Sequence, residues 1–265
     1  MNKDNLFSQI FGKVAKINFF KPLQELINSF YVKLFKINMR EFKPSNEYKN
    51  LNELFTRELL KPREFDAADE IFISPVDGTC LSFGTTKELE AFSIKGMNYG
   101  LKELLGQGEL EGEFDFANIY LSPKDYHHYH APCDITIKKA VYIPGKLYSV
   151  AVKWLSKVDS LYTKNERVAL LCEMKNGKKL WLVFVGALNV GKMKFSFDER
   201  IQTNAMANFT QIYEYENLHI KKGERLGNFE LGSTIVILSE KDAIEYNLFE
   251  NKELKFAEAI GRIKE

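Results

Sequence analysis

From Ile71 onward the chain breaks into short β-prone runs punctuated by Gly, Pro and Asn. This texture constrains the fold most, because such runs satisfy their backbone polar groups only by pairing into sheets. The clearest are Ile71–Ser74, Phe116–Leu121, Ile135–Ile143, Val168–Glu173, Leu180–Val185 and Thr234–Leu238. Gly106–Gly112 reads as a glycine-spaced turn region, and Leu248–Ile263 is compatible with either a last helix or a strand. Before this region the period is helical. Leu6, Phe7, Ile10, Phe11 and Val14 recur at helix spacing, as do Leu23, Leu26, Ile27, Phe30, Tyr31 and Leu34 after Pro22, a residue suited to a first helical turn. Leu51–Phe55 starts another short helix. The pattern predicts an α+β chain: N-terminal amphipathic helices over residues 1–65, then a β-rich domain over 66–265.

A chain of 265 residues, 45% hydrophobic, buries a sizeable core without staples. Its 37 Lys and Arg nearly cancel its 36 Asp and Glu, which argues against a nucleic-acid partner. The cysteines, Cys80, Cys133 and Cys172, are odd in number and far apart; they suggest neither a disulfide framework nor a paired-cysteine metal site, and they fit a reducing compartment. Residues 1–40, however, carry seven basic and two acidic side chains, a net of +5. No apolar run approaches the ~20 residues of a membrane-spanning helix, and no short apolar core with a small-residue cleavage site marks a secretion signal. The N-terminal helices therefore either pack on the protein's own core or lie on an anionic membrane surface.

Three segments carry candidate chemistry. Three of the four histidines, His127, His128 and His130, fall within four residues. If extended, His128 and His130 share one face and His127 takes the other. Such a cluster can ligate a metal, serve as an acid–base pair, or be a Tyr/His-rich surface loop. No Cys neighbours it and no distant ligand motif stands out, so metal is the weakest of the three. Asp77, in Ser74-Pro75-Val76-Asp77-Gly78, reads as a turn residue or as a carboxylate that orients a histidine. Leu231-Gly232-Ser233-Thr234 precedes a β-prone run and is not a Gly-x-Ser-x-Gly elbow, since Leu231 and Ile235 stand at the flanking glycine positions.

Together these segments are far more specific. The chain resembles the phosphatidylserine decarboxylase family, whose members are self-processing, pyruvoyl-dependent proenzymes. The resemblance rests on Ser74–Gly78, on Tyr126-His127-His128-Tyr129-His130-Ala131-Pro132 and on Leu231–Thr234, in the family's order and at similar spacing. Leu51–Arg57, Lys95–Tyr99, Tyr142–Val150, Asn165–Val168 and Val185–Ala187 support it. The likeness runs from about residue 50 to 240, whereas the N-terminal helices match only in character.

The resemblance implies cleavage of the Gly232–Ser233 bond. Ser233 attacks the Gly232 carbonyl, the ester is eliminated, and the dehydroalanine at 233 hydrolyses to a pyruvoyl group, a covalent cofactor. Residues 1–232 and 233–265 then stay together noncovalently. His130 matches the base for Ser233 and Asp77 the carboxylate that fixes its tautomer. His127 matches a histidine that assists decarboxylation; His128 sits where the family varies. The implied reaction converts phosphatidylserine to phosphatidylethanolamine and CO2 through a Schiff base on the pyruvoyl ketone at 233, an electron sink. It needs no metal. The implied setting is peripheral, on the cytoplasmic face of the cell membrane, with a possible homodimer. A pyruvoyl decarboxylase of a soluble amino acid and a Ser-His-Asp hydrolase are the alternatives.

Overall fold

The computed structural model describes residues 14–86, 92–94, 97–106, 112–150, 161–187, 192–203, 209–230 and 233–265. The helical repeat expected at 6–11 and Gly232 of the expected cleavage bond lie outside the described residues.

Helix α1 spans Lys21–Phe35, with Pro22 in its first turn and Lys36 closing it in the left-handed region at φ 52°. It docks by its polar side. The Gln24 amide donates to Asn28 Oδ1 at 2.8 Å, and the Asn28 amide donates to the Ser45 and Tyr48 carbonyls, each at 2.9 Å. Gln24 and Asn28 are buried, while Leu26, Phe30 and Leu34 are 66%, 63% and 58% exposed. The core-packed alternative thus fails for this row: at i, i+4 and i+8 it forms an apolar stripe facing outward. Helix α2, Leu51–Phe55, begins at Asn50, whose side chain accepts the Glu53 N–H at 2.8 Å. The Glu53 carboxylate accepts the Lys49 N–H in return. Leu54 and Phe55 are fully buried.

The remaining elements, in chain order, are β1 (Ile71–Ile73), β2 (Gly78–Thr85), β3 (Phe92–Ile94), β4 (Met97–Tyr99), α3 (Leu101–Leu105), β5 (Phe114–Leu121), β6 (His128–His130) and β7 (Ile135–Ile143). After these come α4 (Leu161–Lys164), β8 (Arg167–Met174), β9 (Lys179–Gly186), β10 (Met193–Phe195), β11 (Gln211–Ile220) and β12 (Arg225–Phe229). The chain closes with β13 (Ser233–Glu240), β14 (Ile244–Tyr246), β15 (Glu253–Leu254) and β16 (Ala259–Ile263).

Among the described residues, eight strands form one antiparallel sheet in the order β11-β7-β8-β9-β13-β5-β2-β15. Strand β13 lies inside it, paired to β5 and β9 along its length. Its side chains alternate between two cores: Ile235 and Ile237 join Ile119, Leu182 and Phe184, while Val236 and Leu238 join Trp181 and Val183. A strand buried on both faces reads as a continuous apolar run, which is why Thr234–Leu238 was legible in the sequence. The undecided stretch at 248–263 holds the short strands β15 and β16. Strands β2, β11 and β12 were not legible, being glycine-containing or polar along much of their length. Three smaller sheets, β10-β12-β6, β1-β16-β14 and the pair β3-β4, complete the described β-structure.

Candidate active site

The histidine segment is delivered by a turn. After β5, Ser122-Pro123-Lys124-Asp125 closes with the Asp125 N–H donating to the Ser122 carbonyl at 2.9 Å. The Asp125 carboxylate caps the same turn by accepting the Ser122 N–H and hydroxyl, both at 2.7 Å. The chain then enters β6, which pairs with β12 in the register His130↔Arg225 and His128↔Asn228. A bulge between Arg225 and Gly227 bends the pair. Gly227 is obligatory, because a Cβ there would lie 1.8 Å from the Lys194 carbonyl oxygen on β10. His127, just before β6, accepts the Phe229 N–H on its carbonyl at 2.9 Å.

Ser233 opens β13, opposite Leu121 of β5 and Gly186 of β9. It is fully buried, and its Oγ has no hydrogen-bond partner among the described residues. Three residues lie between Phe229 and Ser233, four residue steps that span at most ~14 Å of extended chain. The connection into Ser233 therefore starts against the histidine segment, and the register places Ser233 beside the strand end from which that segment departs. Glu230, in the same connection, is buried and held by Lys16 and Lys194, each at 2.7 Å. Burial pushes its carboxyl upward, but the two ammonium groups hold it below the usual range.

His130 is neutral and well oriented. Its Nδ1 donates to the Gly223 carbonyl at 2.9 Å, leaving Nε2 as the acceptor of the Tyr126 hydroxyl at 3.2 Å. Its ring stacks on Phe256 at 3.7 Å. Burial, aided by His128, Arg225 and Arg63, lowers its pKa to about 4 despite the Gly223 bond. Asp77 does not bond His130 among the described residues. Its carboxylate accepts a bidentate pair from Arg63, at 2.5 and 3.1 Å, and the Phe256 N–H at 2.8 Å. The Gly223 carbonyl, not Asp77, therefore sets the His130 tautomer here. Phe256 bridges the two expected partners, touching Asp77 with its backbone and His130 with its ring.

His127 is fully buried on Phe55, with 3.9 Å between ring centres. Its Nδ1 donates to the Asp125 carbonyl at 2.8 Å, and its Nε2 has no partner among the described residues. Burial first, then the Arg57 cation, lowers its pKa well below the ordinary value. His128 donates from Nε2 to the Thr56 carbonyl at 2.9 Å and stacks on Tyr126, and burial lowers its pKa to about 4. The described residues contain no group of three or more His, Cys, Asp or Glu able to hold a metal ion.

The structure thus links Asp77 to His130 through Phe256, places His127 three residues earlier against Phe55 and Asp125, and puts Ser233 at the start of β13 opposite Leu121. The sequence reading missed Arg63, Phe256 and Tyr126. Tyr126 lay within the motif and could have been found there; Arg63 and Phe256 carried no local signal.

A buried serine hydroxyl without a partner among the described residues and buried imidazoles with depressed pKa values mark this region as a candidate catalytic site. The family model for phosphatidylserine decarboxylase matches residues 51–262. The phosphatidylserine decarboxylase proenzyme of Campylobacter jejuni is 53% identical over 262 residues, covering 96% of this chain and 97% of that one. The proenzyme of the same name from Helicobacter pylori is 48% identical, over 97% and 96% of the two chains. That of Idiomarina loihiensis is 37% identical, over 98% and 93%. This chain belongs to the phosphatidylserine decarboxylase family and is a carboxy-lyase.

Proposed function

We propose that this chain cleaves itself between Gly232 and Ser233 and then decarboxylates phosphatidylserine to phosphatidylethanolamine. The observation that carries this reading is Ser233: fully buried, its hydroxyl without a partner among the described residues, at the head of the central strand. Burying an unsatisfied hydroxyl costs stability, ~1–3 kcal/mol, and Ser233, the residue that follows Gly232, bears that cost.

In the proposed cleavage, Ser233 Oγ bonds to the Gly232 carbonyl carbon while its proton passes to His130 Nε2. The Gly232–Ser233 C–N bond breaks, leaving an ester and a free amine at 233. Loss of the Cα proton then breaks the Cβ–O bond and releases Gly232 as a carboxylate. Water replaces the nitrogen, which leaves as ammonia. Position 233 becomes a pyruvoyl group, whose ketone supplies an electron sink for the departing carboxylate. His130 is suited to the first step because its burial keeps Nε2 unprotonated at neutral pH. Tyr126 occupies Nε2 meanwhile and must yield or relay the proton. Arg63 and Phe256 hold Asp77 beside this ring. His127 keeps a buried Nε2 without a partner among the described residues and is the group assigned to proton handling during decarboxylation.

The two products remain joined because β13 is paired on both sides. The lipid substrate gives the outward stripe of α1 its role. Leu26, Phe30 and Leu34 enter the interface of an anionic membrane, and the +5 N-terminal segment adds attraction worth ~1 kcal/mol per basic residue. No helix among the described residues is long and apolar enough to cross a membrane. This peripheral placement, on the cytoplasmic face, favours the lipid over a soluble amino acid. We assign residues 1–65 to membrane association and 66–265 to catalysis, with Phe55, Thr56, Arg57 and Arg63 at the end of the first part reaching the site.

Denaturing intact-mass spectrometry of freshly purified protein tests the proposal. Two species are expected, 1–232 and 233–265, the smaller lighter by one ammonia than a peptide beginning with serine. An active chain of intact mass would overturn it and favour a Ser-His-Asp hydrolase. Turnover of free serine as fast as of phosphatidylserine vesicles would favour the soluble-substrate reading.

A further inference from the structure

Three consecutive residues at the end of α2 meet the histidine segment. The Phe55 ring packs on the His127 ring at 3.9 Å, and the Thr56 carbonyl accepts from His128 Nε2 at 2.9 Å. Arg57 is 1% exposed and no carboxylate bonds it among the described residues. Its guanidinium instead donates from Nη2 to the carbonyls of Lys124 and Asp125, at 2.6 and 2.9 Å, and lies over the Phe42 ring at 4.6 Å. A buried cation spent on two backbone carbonyls is costly unless those carbonyls must be held in place. The Asp125 carbonyl is the same oxygen that accepts from His127 Nδ1, at 2.8 Å.

We infer that Arg57 is the positioning residue for His127: it pins the Lys124–Asp125 backbone, and the Asp125 carbonyl fixes the Nδ1–H tautomer that leaves Nε2, without a partner among the described residues, able to take a proton. This rests on the reading of His127 as the group that handles a proton in decarboxylation. The arrangement is a carbonyl-mediated counterpart of the outer partners that orient catalytic or metal-bound imidazoles. The charged or titratable groups facing His127 are Arg57, from the end of α2, and His128, from the adjoining strand, while Asp125 contributes its backbone carbonyl. Loss of the Arg57 cation removes one of the causes that depress His127, so its titration moves upward.

The test compares Arg57→Met, Arg57→Lys and His127→Ala in the full chain. Arg57→Met is expected to process into its two chains and then lose kcat on phosphatidylserine vesicles by about 10- to 100-fold with little change in KM. The His127-governed limb of its kcat–pH profile should move to higher pH, and Arg57→Lys, which keeps the charge, should restore most of that profile. Nitrogen-15 NMR of the histidines, only four in this chain, should show His127 losing its single Nδ1–H tautomer in Arg57→Met. A kcat, pH profile and tautomer unchanged in Arg57→Met, with His127→Ala inactive, overturn the inference alone. Full decarboxylation by His127→Ala overturns the underlying reading. A processing failure in Arg57→Met would make Arg57 part of the fold or the cleavage step and also overturn the inference.

Discussion

Ser233 and Asp77 show how single residues here are set against stability. The Ser233 hydroxyl is buried without a partner among the described residues, so Ser233→Ala removes a liability while deleting the proposed nucleophile. The variant should remain one chain of intact mass, lose decarboxylase activity, and unfold at a temperature no lower than the unprocessed parent. Asp77 and Arg63 each expose only 11% of their side chains. Removing one partner leaves an uncompensated, largely buried charge, so Arg63→Met should cost ~3 kcal/mol in urea unfolding. The double variant Arg63→Met with Asp77→Asn should cost less than the two single variants added together. His128 and His130 are both held near pKa 4 by burial, below the ordinary 6.5. The unfolded chain binds more protons than the folded one between these values. Stability is therefore complete above about pH 6.5 and falls as pH drops toward 4, by up to ~1.4 kcal/mol per pH unit for each histidine. Unfolding across this window should show that slope, and His128→Asn should flatten it.

At the scale of elements, α1 carries its polarity inverted. The amide side is bonded to the 45–48 turn, and the apolar row faces out. Replacing Leu26, Phe30 and Leu34 with serine should leave the melting temperature nearly unchanged and abolish co-sedimentation with anionic vesicles, while self-cleavage proceeds. A large loss of melting temperature would show that the row packs on protein instead. Strand β12 has the opposite requirement, since it must come close to β10 at Gly227. Gly227→Ala should displace β12 from β10, lower stability, and slow cleavage measured as the fraction of intact chain over time. The helical period of α1 and the capping pair at Asn50 and Glu53 were legible because both are local signals. The direction in which α1 faces was not, because a period of 3.6 states that one side is apolar and not what it meets.

At the scale of the whole molecule, the site is closed by segments remote in the chain. Phe256 reaches Asp77 across 179 residues, and Arg57 reaches Asp125 across 68. In the proposed cleavage Phe256 falls in the 233–265 product, whereas Asp77 and His130 fall in 1–232. The processed enzyme should therefore elute as one complex under native conditions and separate only when denatured. Separation at neutral pH without denaturant would contradict the pairing of β13 with β5 and β9.

By itself, the amino-acid order determined the alternation of short strands, the apolar run of β13 behind Ser233, the helical spacing of α1 and α2, and the gathering of histidines in one segment. These are consequences of side-chain period and turn chemistry, which act over a few residues. Only the tertiary structure decided that Asp77 pairs with Arg63, that Gly223 sets the His130 tautomer, that Phe256 joins the two, and that the apolar row of α1 faces away from the core. Each of these is a partner choice between groups far apart in sequence. Such choices are settled by which buried polar atoms can be satisfied together once the sheet has closed, and no local pattern encodes that.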